Sequence, residues 1–189
     1  MRLFVAFELS PPVVVAADTV ARELREWISH IAPRARLTWV APERMHVTVR
    51  FIGEVNDDMA TAIRDVLGSP LESPPLAFAL GEVGAFPTRG APRALWLGLT
   101  AASEAVAALE TEISGRLAQV GVPRESRRFT PHLTLARVRE AAGLRASAVL
   151  ADVAPPVAHG RIDAITLFAS RLSPRGPFYT ALQRTGLRQ

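Results

Sequence analysis

The chain has 189 residues, 49% hydrophobic and 21% charged, a composition that places it among globular proteins with a buried core and excludes disordered and collagen-like classes. It contains no cysteine, which removes thiolate catalysis, thiolate metal sites and disulfides together. Its net charge is +4 and all 22 basic residues are arginine. Guanidinium forks suit phosphates and carboxylates, while an arginine-biased genome produces the same count, so charge alone does not choose a ligand.

The apolar run Leu9 to Ala17 falls well short of the ~20 residues a bilayer crossing needs, so no membrane association is expected. The N-terminal Leu3-Phe4-Val5-Ala6-Phe7 runs into Glu8 without the pattern of a signal peptide, and a cytoplasmic location is expected.

Arg2 to Leu9 reads as a strand, and Pro11-Pro12 opens a helix to Ile31, with Val15, Val20, Leu24, Trp27 and Ile31 near helical spacing and Pro33 beyond its end. Arg36 to Val40 and Met45 to Ile52 read as two short strands joined by Ala41-Pro42-Glu43-Arg44. Asn56 caps a helix through Leu67. The breaker-rich stretch from Gly68 to Pro75 is the expected boundary between two lobes. Leu76 to Phe86 and Ala94 to Leu99 form an expected hairpin, followed by a helix from Ser103 to Val120. Pro131 to Val138 is a further strand, Leu144 to Leu150 a short helix, and Arg161 to Leu172 with Phe178 to Gln183 a closing strand pair. Strands and helices mix without strict βαβ alternation, so the fold class is α+β.

One pattern occurs twice: Met45-His46-Val47-Thr48-Val49 and Pro131-His132-Leu133-Thr134-Leu135. With 4 histidines and 12 threonines, chance supplies about 0.25 His-x-Thr triplets in the whole chain. In a strand, His46 and Thr48 share one face while Val47 and Val49 take the other, and the second motif repeats this. Each strand therefore buries its aliphatic residues and presents an imidazole beside a hydroxyl.

Paired imidazoles suit phosphoester chemistry, where one proton is taken and another given near neutral pH. In-line displacement sets the attacking and leaving oxygens on opposite sides of phosphorus, so acid and base belong on opposite walls of a cleft. A histidine and threonine that merely satisfy each other account for either motif alone, but not for the pair. A zinc site would need a denser set of ligands, and no carboxylate lies within either motif.

The chain resembles the 2H phosphoesterases, and within them the bacterial and archaeal RNA 2′,3′-cyclic phosphodiesterases once named 2′-5′ RNA ligases. The resemblance is carried by Arg2-Leu3-Phe4-Val5-Ala6, by Trp39-Val40 leading to His46-Val47-Thr48-Val49-Arg50-Phe51-Ile52-Gly53-Glu54, and by Gly84-Ala85-Phe86-Pro87. Leu95-Trp96-Leu97-Gly98, Phe129-Thr130-Pro131-His132-Leu133-Thr134-Leu135-Ala136-Arg137 and Ser170-Arg171-Leu172 before Gly176-Pro177 and Tyr179 complete it. It implies a single bilobal domain over residues 1–189, in which two antiparallel-rich sheets line a central cleft, helices lie outside, and each lobe gives one HxT strand.

The same resemblance implies hydrolysis of ribose 2′,3′-cyclic phosphate to a 2′-phosphomonoester without metal or other cofactor, on RNA ends or small cyclic nucleotides, with no obligate protein partner. It makes His46 the proton donor to the leaving 3′ oxygen and His132 the base that activates water. Thr48, Thr134 and Arg137 then bind the phosphate. Strict alternation sets Arg50 on the face of His46 but Arg137 on the face opposite His132, unless the strand bulges before it. His30 and His159 stay outside the expected site, and Trp39, Phe51 and Trp96 are read as core aromatics. Two alternatives remain: reversible 2′-5′ RNA ligation through the same histidines, and a non-catalytic RNA-binding module.

Overall fold

A computed structural model describes residues 1–126, 129–150, 156, 158–173 and 176–188. In chain order the elements are β1 (Arg2–Glu8), α1 (Pro11–Ile31), β2 (Arg36–Trp39), β3 (His46–Glu54), α2 (Asp57–Leu67), β4 (Leu76–Phe86) and β5 (Ala94–Thr100). They continue with α3 (Ser103–Gln119), β6 (His132–Glu140), α4 (Ala146–Leu150), β7 (His159–Ile162), β8 (Ala164–Ser173) and β9 (Gly176–Gly186). The α+β class and every helix read from the sequence are present. Pro11 and Pro12 occupy the first turn of α1, where a missing N–H costs nothing, and Asn56 Oδ1 accepts from Met59 N at 2.9 Å to cap α2.

The strands lie in the order β7-β4-β5-β6-β3-β1-β8-β9, with β2 paired to β6. Between β3 and β6 the ladder rests on one antiparallel residue pair, Val47↔Leu133. The two expected sheets are thus halves of one curled ladder joined at a single rung.

The closing strand expected from Arg161 to Leu172 is two strands. It breaks at Asp163: β7 pairs with β4 in one half and β8 with β1 in the other. The apolar pattern runs through the break, so periodicity does not mark it, whereas the paired partners change completely. The boundary expected at 68–75 is consequently one of several crossings between the halves, since β2 already leaves the first half to pair with β6. Near it, Leu71 bridges Leu187, and the Glu112 carboxylate accepts from the backbone N–H of Glu72 and Ser73 at 2.8 and 3.1 Å.

One continuous core fills the outer face of the sheet, built from Leu3, Val5, Phe7, Val47, Val49, Leu95, Leu97, Leu133 and Leu135 against the helices. The helices are exchanged: α1 lies against β6 and α3 against β3. A second, small apolar cluster, Phe4, Ala6 and Phe168 with Tyr179, sits on the inner face. That inner face carries the motifs.

Candidate active site

The site is generated by the rung that joins the halves. Val47 and Leu133 are the central residues of the two HxT triplets, both fully buried, and cross-strand partners project to the same face. Alternation then turns His46, Thr48, His132 and Thr134 to the other face, grouped about a pseudo-twofold axis through that pair.

Beyond the triplets both strands bulge at the same place. In β3, Thr48 pairs with Ala6 and Arg50 with Val5, so Val49 is the extra residue. In β6, Thr134 pairs with Trp96 and Ala136 with Leu95, so Leu135 is extra. Each bulge reverses the alternation that follows it. Arg137 accordingly returns to the face of His132 and Thr134. Arg50, expected beside His46, instead points into the core. It is only 6% exposed, donates to Pro123 O and lies 3.7 Å from the Glu125 carboxylate. A run of two apolar residues, Leu135-Ala136, is the sequence trace of the second bulge; in the first, Arg50 conceals it.

A cavity of about 400 Å³ opens on the inner face, lined by His46, Thr48, Thr134 and Arg137 together with Arg2, Arg44 and Arg139. Phe4, Trp39, Phe51 and Tyr179 supply its apolar walls. Of the three aromatics read as core, Phe51 is 49% exposed beneath the Arg2 guanidinium, and half-buried Trp39 lies under that of Arg25. Arg44 is a further cation that pattern reasoning missed. It packs against Gly176, whose φ of +105° and missing Cβ let it approach, and donates to Pro177 O at 3.4 Å. A neighbouring cleft of about 590 Å³ shares Arg2, Ser170 and Leu172 with the first and has no histidine in its lining.

The two imidazoles are held alike. His46 Nδ1 lies 2.8 Å from Arg44 O, and His132 Nδ1 lies 2.7 Å from Thr130 O. A carbonyl only accepts, so each Nδ1 carries the proton and each Nε2 is left for chemistry. Aromatic rings enclose both: Phe4 at 5.1 Å and Tyr179 edge-on at 5.2 Å around His46, Phe86 edge-on at 5.1 Å and Trp96 at 5.8 Å around His132. Burial therefore holds both imidazoles below the usual pKa of 6.5. The bonds to Arg44 O and Thr130 O oppose that shift, and the Arg137 charge adds to it. His30 and His159 lie elsewhere: Nδ1 of His30 meets Glu26 O within α1, and His159 pairs with Ala79 at the sheet's far edge.

One imidazole, two hydroxyls and several guanidiniums line the cavity as a donor set for an anion, while His132 shares their face of the sheet without being among the lining residues. Among the described residues no group of three His, Asp or Glu side chains gathers as metal ligands, and no helix is long and apolar enough to cross a membrane.

An α+β fold whose curled antiparallel sheet presents paired HxT strands is the fold of the 2H phosphoesterases and of the LigT structures compared below. Residues 12–173 match the 2′-5′ RNA ligase superfamily, and the chain belongs to that family. Curated relatives described as RNA 2′,3′-cyclic phosphodiesterases include one from Thermus thermophilus, 33% identical over all of this chain and 91% of that one. Another from Aeropyrum pernix is 32% identical over 84% of this chain and 90% of its own. Among solved structures, a Thermus thermophilus protein superposes with a TM-score of 0.77 at 26% identity, covering 100% of this chain and 98% of that one. LigT of E. coli, solved in complex with 3′-AMP, gives 0.72 at 25% identity with the same coverage.

Proposed function

We propose that this protein is an RNA 2′,3′-cyclic phosphodiesterase that uses two histidines and no metal, within one bilobal unit whose halves each supply an HxT strand. The observation that carries the reading is the single rung Val47↔Leu133, which turns two imidazoles and two threonine hydroxyls to one face, with Arg137 brought to them by a bulge. The family relationship and the relatives' described activity support the same reaction.

The substrate is a ribose 2′,3′-cyclic phosphate at an RNA end or in a small nucleotide. Thr48, Thr134 and Arg137 hold the non-bridging oxygens and oppose the charge that builds on them. Neutral His132 takes a proton from water through Nε2 as that water attacks phosphorus. The bond from phosphorus to the 3′ oxygen breaks, and His46, protonated on Nε2, gives its proton to that oxygen. The product is a 2′-phosphomonoester and a free 3′-hydroxyl. A His46 that is neutral in the free protein at pH 7 gains its proton beside the substrate's negative charge, which favours imidazolium. The profile of kcat/KM against pH, which reports the free protein, is therefore bell-shaped with both limbs below 6.5, and that of kcat has its alkaline limb moved upward.

Phosphorus-31 NMR of a 2′,3′-cyclic nucleotide and of a cyclic-ended oligoribonucleotide, both in EDTA, tests this directly. Wild type is expected to yield the 2′-phosphate and the double variant His46→Ala, His132→Ala to yield none. Full turnover by the double variant, or turnover that requires added metal, overturns the reading. A ribose 5′-hydroxyl in place of water would carry the same exchange to a 2′-5′ joint, an activity that the superfamily's name records. Joined product from cyclic-ended and 5′-hydroxyl RNA distinguishes the two.

A further inference from the structure

The β5 strand that flanks β6 carries Trp96 on the inner face, opposite Thr134 on one side and Gly84 of β4 on the other. The indole does not stand off the sheet but lies across it. A Cβ on Gly84 would fall 2.2 Å from Cη2 and Cζ2 of the ring, and one on Gly98 would fall 3.5 Å from Cζ3. Gly98 is itself the residue opposite His132. Two glycines thus form a shallow seat, and the indole in it extends to the imidazole, 5.8 Å between centroids at an interplanar angle of 56°. Phe86, 4.9 Å from the indole, lies beside it and meets His132 edge-on at 5.1 Å.

Trp96 Nε1 is buried and has no hydrogen-bond partner among the described residues. The contacts this ring does make are those of its face and edges, with Gly84, Gly98, Phe86 and His132. The pseudo-twofold axis sharpens the point. It matches Trp96, the partner of Thr134, with Ala6, the partner of Thr48. Around His46 the aromatic support comes instead from Phe4 and Tyr179. The two halves reach one result, an imidazole braced by rings, from positions that are not equivalent, which marks the bracing rather than the strand pattern as the requirement.

We propose that Trp96, laid flat in the Gly84 and Gly98 seat, is a positioning residue for His132. The bond from Nδ1 to Thr130 O leaves the imidazole free to swing about that contact, and the indole blocks the swing and shields one side of the ring from water. Nε2 then keeps one direction, towards the phosphate. Among the described residues the charged group that acts on His132 is Arg137 of β6, while β4 and β5 present Phe86, Trp96 and Gly98. The proposal rests on the reading of His132 as a working imidazole.

The test compares wild type with Trp96→Ala, Trp96→Phe and Gly84→Ala. NMR titration of the imidazoles is read beside kcat and KM on a 2′,3′-cyclic nucleotide. In Trp96→Ala the His132 titration is expected to rise towards 6.5 while that of His46 stays put. There kcat falls about tenfold or more with KM within about twofold. Trp96→Phe restores both, since it keeps a flat ring in the seat, and Gly84→Ala behaves like Trp96→Ala because its new methyl group displaces the indole. A His132 titration unchanged in both Trp96→Ala and Gly84→Ala overturns the proposal, as does a joint shift of His46 and His132, which would mark general loosening. Full activity of His132→Ala would instead sink the hydrolytic reading, leaving the titrations to decide the seat on their own.

Discussion

The β3 and β6 strands share a backbone plan and differ in what they hang on it. Each starts at its histidine, buries the middle of its HxT triplet, and bulges one residue after its threonine. Up to that point the two strands follow the same burial pattern. Past the bulge, the first half buries Arg50 and exposes Phe51, while the second buries Ala136 and turns out Arg137. The flanking strands diverge too, with Glu8 opposite His46 where Gly98 stands opposite His132. A duplicated frame therefore places the two histidines alike, and the residues beyond the bulge and on the flanking strands differ. One margin gives the cleft a cation, and the other gives it an exposed ring.

Breaking the shared part is expected to cost most. His46→Ala and His132→Ala should each lower kcat by about 10²- to 10⁴-fold. The double variant should be little worse than the poorer single one, because acid and base act as a unit. Rates on a cyclic nucleotide check this, and strictly additive losses would show that the halves work separately.

The margins are compared next by Arg137→Ala and Phe51→Ala, which alter matched positions. The first should lower kcat/KM by about 10²-fold, the scale of removing one group that stabilises developing charge. The second should cost less than about tenfold on a mononucleotide, since it removes no charge from the phosphate. Equal losses would mean that the halves differ less in role than in residue.

Arg50→Met, on the buried side of the first bulge, should act on stability rather than on rate. Loss of its bond to Pro123 O and of the contact with Glu125 should lower the unfolding free energy by about 2 kcal/mol in urea titrations, with KM unchanged. Glu125→Gln should cost under about 1 kcal/mol, because that carboxylate is half exposed.

The smallest effect is a pH dependence of stability. Both histidines titrate below 6.5 in the folded chain, so between that value and their lowered ones the unfolded chain binds more protons. Stability should fall as pH drops below 6.5 and be unaffected by these groups above it. The double histidine variant should lose this slope.

Sequence patterns reach as far as local periodicity does. Helix α1 was legible because proline at its start and apolar spacing agree, and α2 because asparagine caps it. The HxT triplets were legible because strand alternation holds over three residues. Alternation fails at Val49 and Leu135, and with it the placement of Arg50, because a bulge is set by the partner strand rather than by the residues themselves. The break at Asp163 was hidden for a like reason: an apolar run states that a strand is buried, not which neighbour it joins. Arg44 reached the cleft by folding over a glycine 132 positions away, a distance at which no local pattern operates.

The crossing at Asp163 also fixes an order of completion during synthesis. Strand β1 leaves the ribosome first, yet its hydrogen-bonded neighbour β8 starts at Ala164, after the whole of the β4 to β7 half has been made. The half that opens the chain is thus the last to be finished, with the other half nested inside it. A nascent or truncated chain ending before that point carries both HxT motifs but lacks Phe168 and Tyr179, the rings around Phe4 and His46. Such a fragment would spell out the motif in full and still be without the enclosure of its first histidine.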